Sequence, residues 1–248
     1  MNIKDLENKH NGEHCFLLGS GPSLNDYDLS KLNDETLIVA SYFYLHKNYR
    51  NFNNLYYCFT SRYPCRNGVL PEGFFRKSMR NRNAKFFFDR CFEDINIARN
   101  YYPSDRIYFM ELDRNRGYLK DGEELVTDVS KPTTRCGTIV ADIMLPLTYY
   151  MGFKTVYVIG CDCTKTKPNQ VPPHFYKNEQ MPQSVYNVVK QFTSGFNIEE
   201  LNLAWDEWRK KFESDNRHIY NLNPKGNLNV LERKDYDEVL DEISNNNS

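Results

Sequence analysis

The sequence has almost no excess charge: 32 Lys and Arg stand against 33 Asp and Glu over 248 residues, a formal charge of -1. Proteins that hold duplex nucleic acid carry a basic excess, so no nucleic-acid partner is expected and any charge that matters must be local. Also missing is an apolar run approaching the ~18–20 residues of a membrane span. The opening MNIKDLENKHNGEH has neither the apolar stretch nor the cleavage site of a signal peptide, so the expectation is a soluble, cytoplasmic chain without a membrane span. No CxxC accompanies Cys161-x-Cys163, which leaves that pair short of a zinc set, and no metal site is expected. The seven cysteines are odd in number, scattered and set inside apolar runs, which suits reduced thiols buried as small hydrophobes better than a disulfide framework. No internal repeat, linker or break in composition divides residues 1–248, so one α/β domain is expected.

What is present is a series of short apolar runs alternating with longer amphipathic segments, the pattern of strands buried on both faces of a mostly parallel sheet flanked by helices. The runs predict strands at His14–Leu18, Thr36–Ala40, Asn54–Thr60, Lys85–Phe88, Arg106–Met110, Thr155–Ile159 and Ile219–Asn221. Helix-length segments are expected between them. Ile139, Ile143, Leu147 and Met151 recur every fourth residue and predict a helix over Thr138–Met151, disturbed at Pro146 and stopped by Gly152. Leu201, Ala204, Trp205, Trp208 and Phe212 form the stripe of a second helix over about Ile198–Asp215, where both Trp read as core anchors rather than a ligand platform. Two stretches resist regular assignment and read as lids or binding loops: 62–90, with eight Lys/Arg against Glu72 and Asp89, and 164–194, rich in Pro.

Three motifs carry chemistry. The first strand runs directly into Gly19-Ser20-Gly21-Pro22-Ser23, a turn in which glycines permit positive φ and close approach of a ligand, Pro22 suits a first helical turn, and exposed amides attract an anion. The bland alternative is a tight strand-to-helix turn. Thr133-Thr134-Arg135-Cys136-Gly137 precedes the long helix and offers hydroxyls, a guanidinium and an N-terminal dipole to a second anionic group, unless its threonines are merely caps. A third strand ends in Gly160-Cys161-Asp162-Cys163-Thr164, followed by Pro173-His174-Phe175-Tyr176. Ligands of open α/β sheets bind beyond the carboxyl ends of the strands, so Asp162 and Thr164 are expected at the rim shared with the first turn. There His174 could accept a proton from an attacking hydroxyl, although a lone loop histidine is often only a surface residue. The other histidines, 10, 14, 46 and 218, read as structural or exposed. Asp26-Tyr-Asp28 and Asp235-Tyr-Asp237 have the bare spacing of a cation-holding acid pair but follow no strand, and read as solvated acids.

Taken together, FLLGSGPSL, IVASYFYL, GFKTVYVIGCD, HFY and the closing RHIYNLNP resemble glycosyltransferase family 42, the bacterial sialyltransferases, and the wider group holding the MptE-like 6-hydroxymethylpterin pyrophosphokinases. The resemblance implies a Rossmann-like (GT-A-variant) nucleotide-binding sheet. It implies donor-nucleotide contacts at Ser20, at Ser41 and Thr60 in place of two asparagines, and at Cys136-Gly137 in place of Ser-Gly, with His174 as general base. Thr164 stands near the place of a phosphate-facing tyrosine. The expected activity is transfer of a sugar from a cytidine monophosphate donor to a glycan or lipid-linked acceptor, with no cofactor required. The alternatives are diphosphate transfer from ATP, needing Mg²⁺ held by Asp162 and His174, and a non-catalytic nucleotide-binding protein. Peripheral membrane association and self-association stay open.

Overall fold

The computed structural model describes residues 1–59, 72–90, 103–113, 119–164, 173–183 and 198–246, with positions 167, 170, 171, 186, 187 and 190. Thr60, Cys65, Cys91 and much of both expected lids lie outside these residues. Strands β1 (His14–Leu18), β2 (Thr36–Ala40), β3 (Asn54–Phe59), β4 (Lys85–Asp89), β5 (Ile107–Met110), β6 (Thr155–Ile159), β7 (His218–Asn221) and β8 (Glu232–Arg233) form one sheet in the order β5-β4-β3-β2-β1-β6-β7-β8. All seven pairings are parallel. The fold is therefore a Rossmann-like α/β fold.

Side-chain alternation along each strand divides the core into two layers. Cys15, Leu17, Ile38, Cys58, Phe87, Val156 and Val158 face one side. Phe16, Leu18, Leu37, Val39, Tyr57, Phe59, Phe86 and Phe88 face the other, where Tyr57 stacks on Phe59 at 4.5 Å and Phe59 on Phe88 at 4.9 Å. Much of the aromatic content thus fills the sheet's second face, with no ligand needed to explain it. Cys15, Cys58, Cys136 and Cys161 are buried free thiols, as their apolar settings predict.

The first layer is covered by the segment that the fourfold apolar spacing predicts and by helix α3 (Ile198–Ser214), whose stripe Leu201, Ala204, Trp205, Trp208 and Phe212 is wholly buried. The former is a π-helical turn (Val140–Met144) running into helix α2 (Leu145–Tyr150). Pro146 lacks the amide that would continue the regular ladder, and the disturbance expected there takes the form of this wider turn. The second layer is covered by Phe75 of helix α1 (Glu72–Ser78) and by helix α4 (Tyr236–Asn246), which buries Tyr236, Val239 and Ile243.

Two expectations are corrected. The connections from β1 to β2 and from β2 to β3 are pairs of 3₁₀ turns, not α-helices. Residues 19–35 and 41–53 are rich in Asn, Asp, Ser and aromatics, whose side chains compete with helical backbone bonding or anchor single turns to the sheet. Asp28 illustrates this by capping Leu29–Leu32 through Ser30. The basic stretch 62–90 is also not irregular throughout, since 72–90 holds α1 and β4.

Candidate functional site

The chain builds β1 to β5 outward in one direction, returns, and builds β6 to β8 in the other, so β1 and β6 are neighbours at the point where the order reverses. The two strands diverge beyond their carboxyl ends into loops leaving on opposite sides, which opens a crevice. A cavity of about 350 Å³ occupies it. Gly19, Ser20 and Gly21 leave β1 there, Ser41 leaves β2, and Gly160 to Thr164 leave β6. Pro173 and His174 close it from the returning loop, and Gly137 to Val140, with Leu201 and Trp205 of α3, form an apolar wall.

Of the residues expected in a nucleotide site, Gly19, Ser20, Gly21, Ser41, Gly137, Asp162, Thr164 and His174 come together at this crevice. Thr133, Thr134, Arg135 and Cys136 do not line it. Thr133 is fully buried, with its hydroxyl on the Glu111 and Asp142 carbonyls, and the Thr134 hydroxyl accepts from the Val126 amide. The amides of Cys136 and Gly137 both donate to Asp142 Oδ1, at 2.5 and 2.9 Å. A carboxylate of the chain itself already satisfies the helix entry expected to receive an anion. Pro22 and Ser23 stand behind the first turn, not on the cavity wall.

The first turn needs a similar correction. Gly19 donates to the Ile159 carbonyl at 2.7 Å, Gly21 to the Gly160 carbonyl at 2.7 Å, and Ser23 to Asp162 Oδ2 at 3.0 Å. Among the described residues only the Ser20 amide of this turn is left without a partner. Gly21 has φ -68, and neither Gly19 nor Gly21 has positive φ, so conformational freedom is not why glycine stands there. Close packing is the reason: a Cβ on Gly21 would lie 2.7 Å from the Gly160 oxygen. Asp162 accordingly acts as a bracket between β6 and the turn after β1. Its other oxygen accepts from Asn223 Nδ2 at 3.4 Å, while Asn223 Oδ1 accepts from the Gly160 amide at 3.0 Å and the Ser23 hydroxyl at 3.3 Å. Asn223 is fully buried, and the Arg233 guanidinium donates to its carbonyl. This asparagine lies in the closing NLNP, a signal visible in the sequence whose role in holding the crevice together went unread.

His174 stands at the rim of the crevice. Nδ1 lies 3.4 Å from Ser20 Oγ, and the ring stacks on Tyr176 at 4.8 Å and 17°. Burial pulls its pKa down to about 4, against the opposing pull of the Ser20 backbone, so the ring is neutral at physiological pH. With Nδ1 facing Ser20, Nε2 is the atom left to take a proton. Ser41, at φ 57, is held in the left-handed region, with its carbonyl accepting from Tyr57 OH at 2.5 Å. Its hydroxyl has no protein partner among the described residues, and strained backbone of this kind gathers at ligand sites. Cys163 is not a thiolate: burial, with Asp162 adding, pushes it up to about 12. Trp205 departs in part from its reading, for it is a buried core residue whose remaining edge also faces the crevice.

His46, read as structural or exposed, is buried, and burial aided by Lys47 pulls its pKa down to about 4. A histidine whose folded pKa lies below the unfolded value of ~6.5 leaves the unfolded chain binding more protons, so stability falls as pH drops from ~6.5 towards 4. His174 acts with the same sign. Urea unfolding at pH ~7.5 and ~5 should show a loss of about 2 kcal/mol from His46, and His46→Gln should flatten the dependence by that amount. An identical slope in the variant would show that the ring is not shielded from protons.

No protein-family model matches the sequence, and no curated protein matches it. Solved structures do resemble the fold. The sialyltransferase CstII from Campylobacter jejuni in complex with a substrate analogue, cytidine-5'-monophosphate, superposes with a TM-score of 0.52 at 13% identity, over 90% of this chain and 85% of that one. An asparagine-to-alanine variant of CST-II in complex with CMP gives 0.51 at 13% identity, over 88% and 86%. At this identity the likeness is one of fold. The fold resembled is that of sialyltransferase structures.

Proposed function

We propose that the protein is a glycosyltransferase that moves a sugar from a cytidine monophosphate donor to a hydroxyl of a glycan or lipid-linked acceptor in the cytoplasm, without a divalent cation. The observation that carries this reading is a neutral His174 facing Ser20 across a crevice at the β1/β6 reversal, in a fold like that of sialyltransferase structures with CMP. In the reaction the acceptor oxygen attacks the anomeric carbon, the bond from that carbon to the phosphate oxygen breaks with its electron pair leaving on CMP, and the acceptor proton passes to His174 Nε2. The Ser20 amide and the hydroxyls of Ser20, Ser41 and Thr164 are the donors available to the departing phosphate. One preorganised donor of this kind is commonly worth about 2.7–4 kcal/mol of barrier. The reading of a cation-free reaction draws on the bonding of Asp162 to Ser23 and Asn223, which commits it to the scaffold.

Melting curves with CMP, CDP, UDP, GDP and ATP test the donor. A ligand present at 100 times its dissociation constant stabilises the fold by ~2.7 kcal/mol, and the cytidine nucleotides should give the largest rise, undiminished by EDTA. A shift with ATP alone that chelation removes would favour diphosphate transfer, and the absence of any shift would leave the protein without a nucleotide.

A further inference from the structure

At the amino ends of the strands, away from the crevice, two lysines meet with no acid between them. Lys85 opens β4 opposite Tyr56 of β3, and its Nζ lies 5.5 Å from the centre of the Tyr56 ring. Alternation along β4 turns Lys85 to the side of Phe87, the layer on which the N-terminal segment packs through Leu6. That segment carries Lys9 and is held down by the His10 amide on the Met151 carbonyl at 2.7 Å and the Gly12 amide on the Gly152 carbonyl at 3.2 Å. Lys9 stands within hydrogen-bond reach of Lys85. Among the described residues neither lysine has a carboxylate partner. The acids of the segment are engaged elsewhere: Glu13 meets His10 Nδ1 at 2.7 Å, Asp5 bears on Tyr108, and Glu7 bears on Tyr150. His10 Nε2 meets the Tyr56 hydroxyl at 2.6 Å, and burial lowers the pKa of its ring, which is neutral at physiological pH.

An ammonium group offers only donors, so two of them in reach of each other repel, and the pair relaxes by giving up a proton. Burial, with Lys9 adding, brings Lys85 down to about 8. About a quarter of Lys85 is then neutral at pH ~7.5, against about one part in a thousand for an ordinary lysine at ~10.4. A half-buried neutral amine is a nucleophile towards small electrophiles. The product matters as much as the reactivity. An acyl group would leave Lys9 without a partner, whereas a carbamate sets a negative charge beside it and turns a repelling pair into an ion pair. We propose that Lys85 is a carbamate-forming site, its Nζ taking up dissolved carbon dioxide as an anion that the Lys9 ammonium holds. The Nζ lone pair attacks the carbon, the N–C bond forms as one C=O electron pair moves onto oxygen, and one N–H proton leaves to solvent. The site is separate from the crevice and stands whatever donor the crevice takes. It joins β4 to the N-terminal segment, so uptake ties that segment to the sheet.

The probe is ¹³CO₂ in equilibrium with buffered bicarbonate, and the readout is the carbamate carbon in a ¹³C spectrum, with triethyloxonium alkylation and peptide mass spectrometry locating the product. At pH ~7.5 the parent should show a Lys85 carbamate beside that of the N-terminal amine, whose ordinary pKa of ~7.7–8.0 makes it a second acceptor. At fixed dissolved CO₂ the Lys85 signal should grow as pH rises through about 8, because only the neutral amine reacts. Lys85→Arg keeps the charge and should lose this signal while retaining the N-terminal one. Lys9→Gln removes both the like charge and the carbamate's partner and should weaken the Lys85 signal about ten-fold, as for a rise of one pKa unit. Both variants are compared with the parent after their melting curves in CO₂-free buffer are matched. An N-terminal signal alone in the parent, a Lys85→Arg spectrum identical to the parent's, or an undiminished signal in Lys9→Gln would overturn the proposal.

Discussion

Gly19→Ala is expected to lower stability by about 3 kcal/mol, the upper end of what one overpacked methyl costs, and the melting temperature by roughly 6–12 °C for a chain of this size. The added Cβ would lie 2.7 Å from Cys161 Sγ and nearer still to the Gly160 carbonyl oxygen. The obstacle is backbone, held by the bonds that join the turn after β1 to the end of β6, so it cannot swing aside as a side chain would. The same substitution at Gly73 is the control. A Cβ there meets nothing within 4 Å and the residue is helical, so Gly73→Ala should be neutral or stabilise by about 0.5–1 kcal/mol. If Gly19→Ala unfolds within about 1 kcal/mol of the parent, the two turns separate more easily than their contacts imply. A nucleotide titration of the refolded variant adds a second readout: lost binding with lost stability traces the defect to the joint between β1 and β6, not to a blocked phosphate seat.

That distinction marks how far the sequence could be read. Apolar runs of three to seven residues announced β1 to β7 to within a residue at either end, because a strand buried on both faces has little choice of side chain. β8 escaped notice because it is two residues, Glu232 and Arg233, with no apolar pattern to betray it. The glycines of GSGPS read as a turn open to positive φ and to a ligand, but sequence alone cannot say whether the space a Cβ would fill belongs to a ligand or to the protein's own backbone. Here it belongs to Gly160 and Asp162. Thr133 to Cys136 failed for a related reason: a helix entry looks receptive to anions in any sequence, and the carboxylate that fills this one, Asp142, stands inside the helix it caps. Burial of Asn223 and His46 depends on a contact 200 residues apart in one case and on an aromatic cage in the other, and neither leaves a periodic trace.

His174→Ala should leave CMP affinity within about two-fold and cut turnover by roughly 10²–10⁴-fold, the range for loss of a general base, equivalent to about 2.7–5.5 kcal/mol of barrier. Because the ring also stacks on Tyr176 and meets Ser20, a drop in kcat alone would not separate a base from a prop. His174→Gln answers this, since its amide can still reach Ser20 but cannot hold a proton at neutral pH. If Gln falls as far as Ala, the lost proton acceptor is the cause, and if Gln restores most of the rate, the ring was holding the loop. The pH profile supplies an independent sign. A base must be neutral to act, burial sets this ring's pKa to about 4, and the acid limb of kcat/KM should therefore lie near pH 4–5 and not at the ~6.5 of an exposed imidazole. Such a ring is a weak base in the empty crevice, but an anionic phosphate arriving within a few ångströms favours the imidazolium and raises its pKa towards neutrality, so the acid limb of kcat should stand higher than that of kcat/KM. Coincident limbs near ~6.5 in both parameters would mean that the group titrating is not the buried His174.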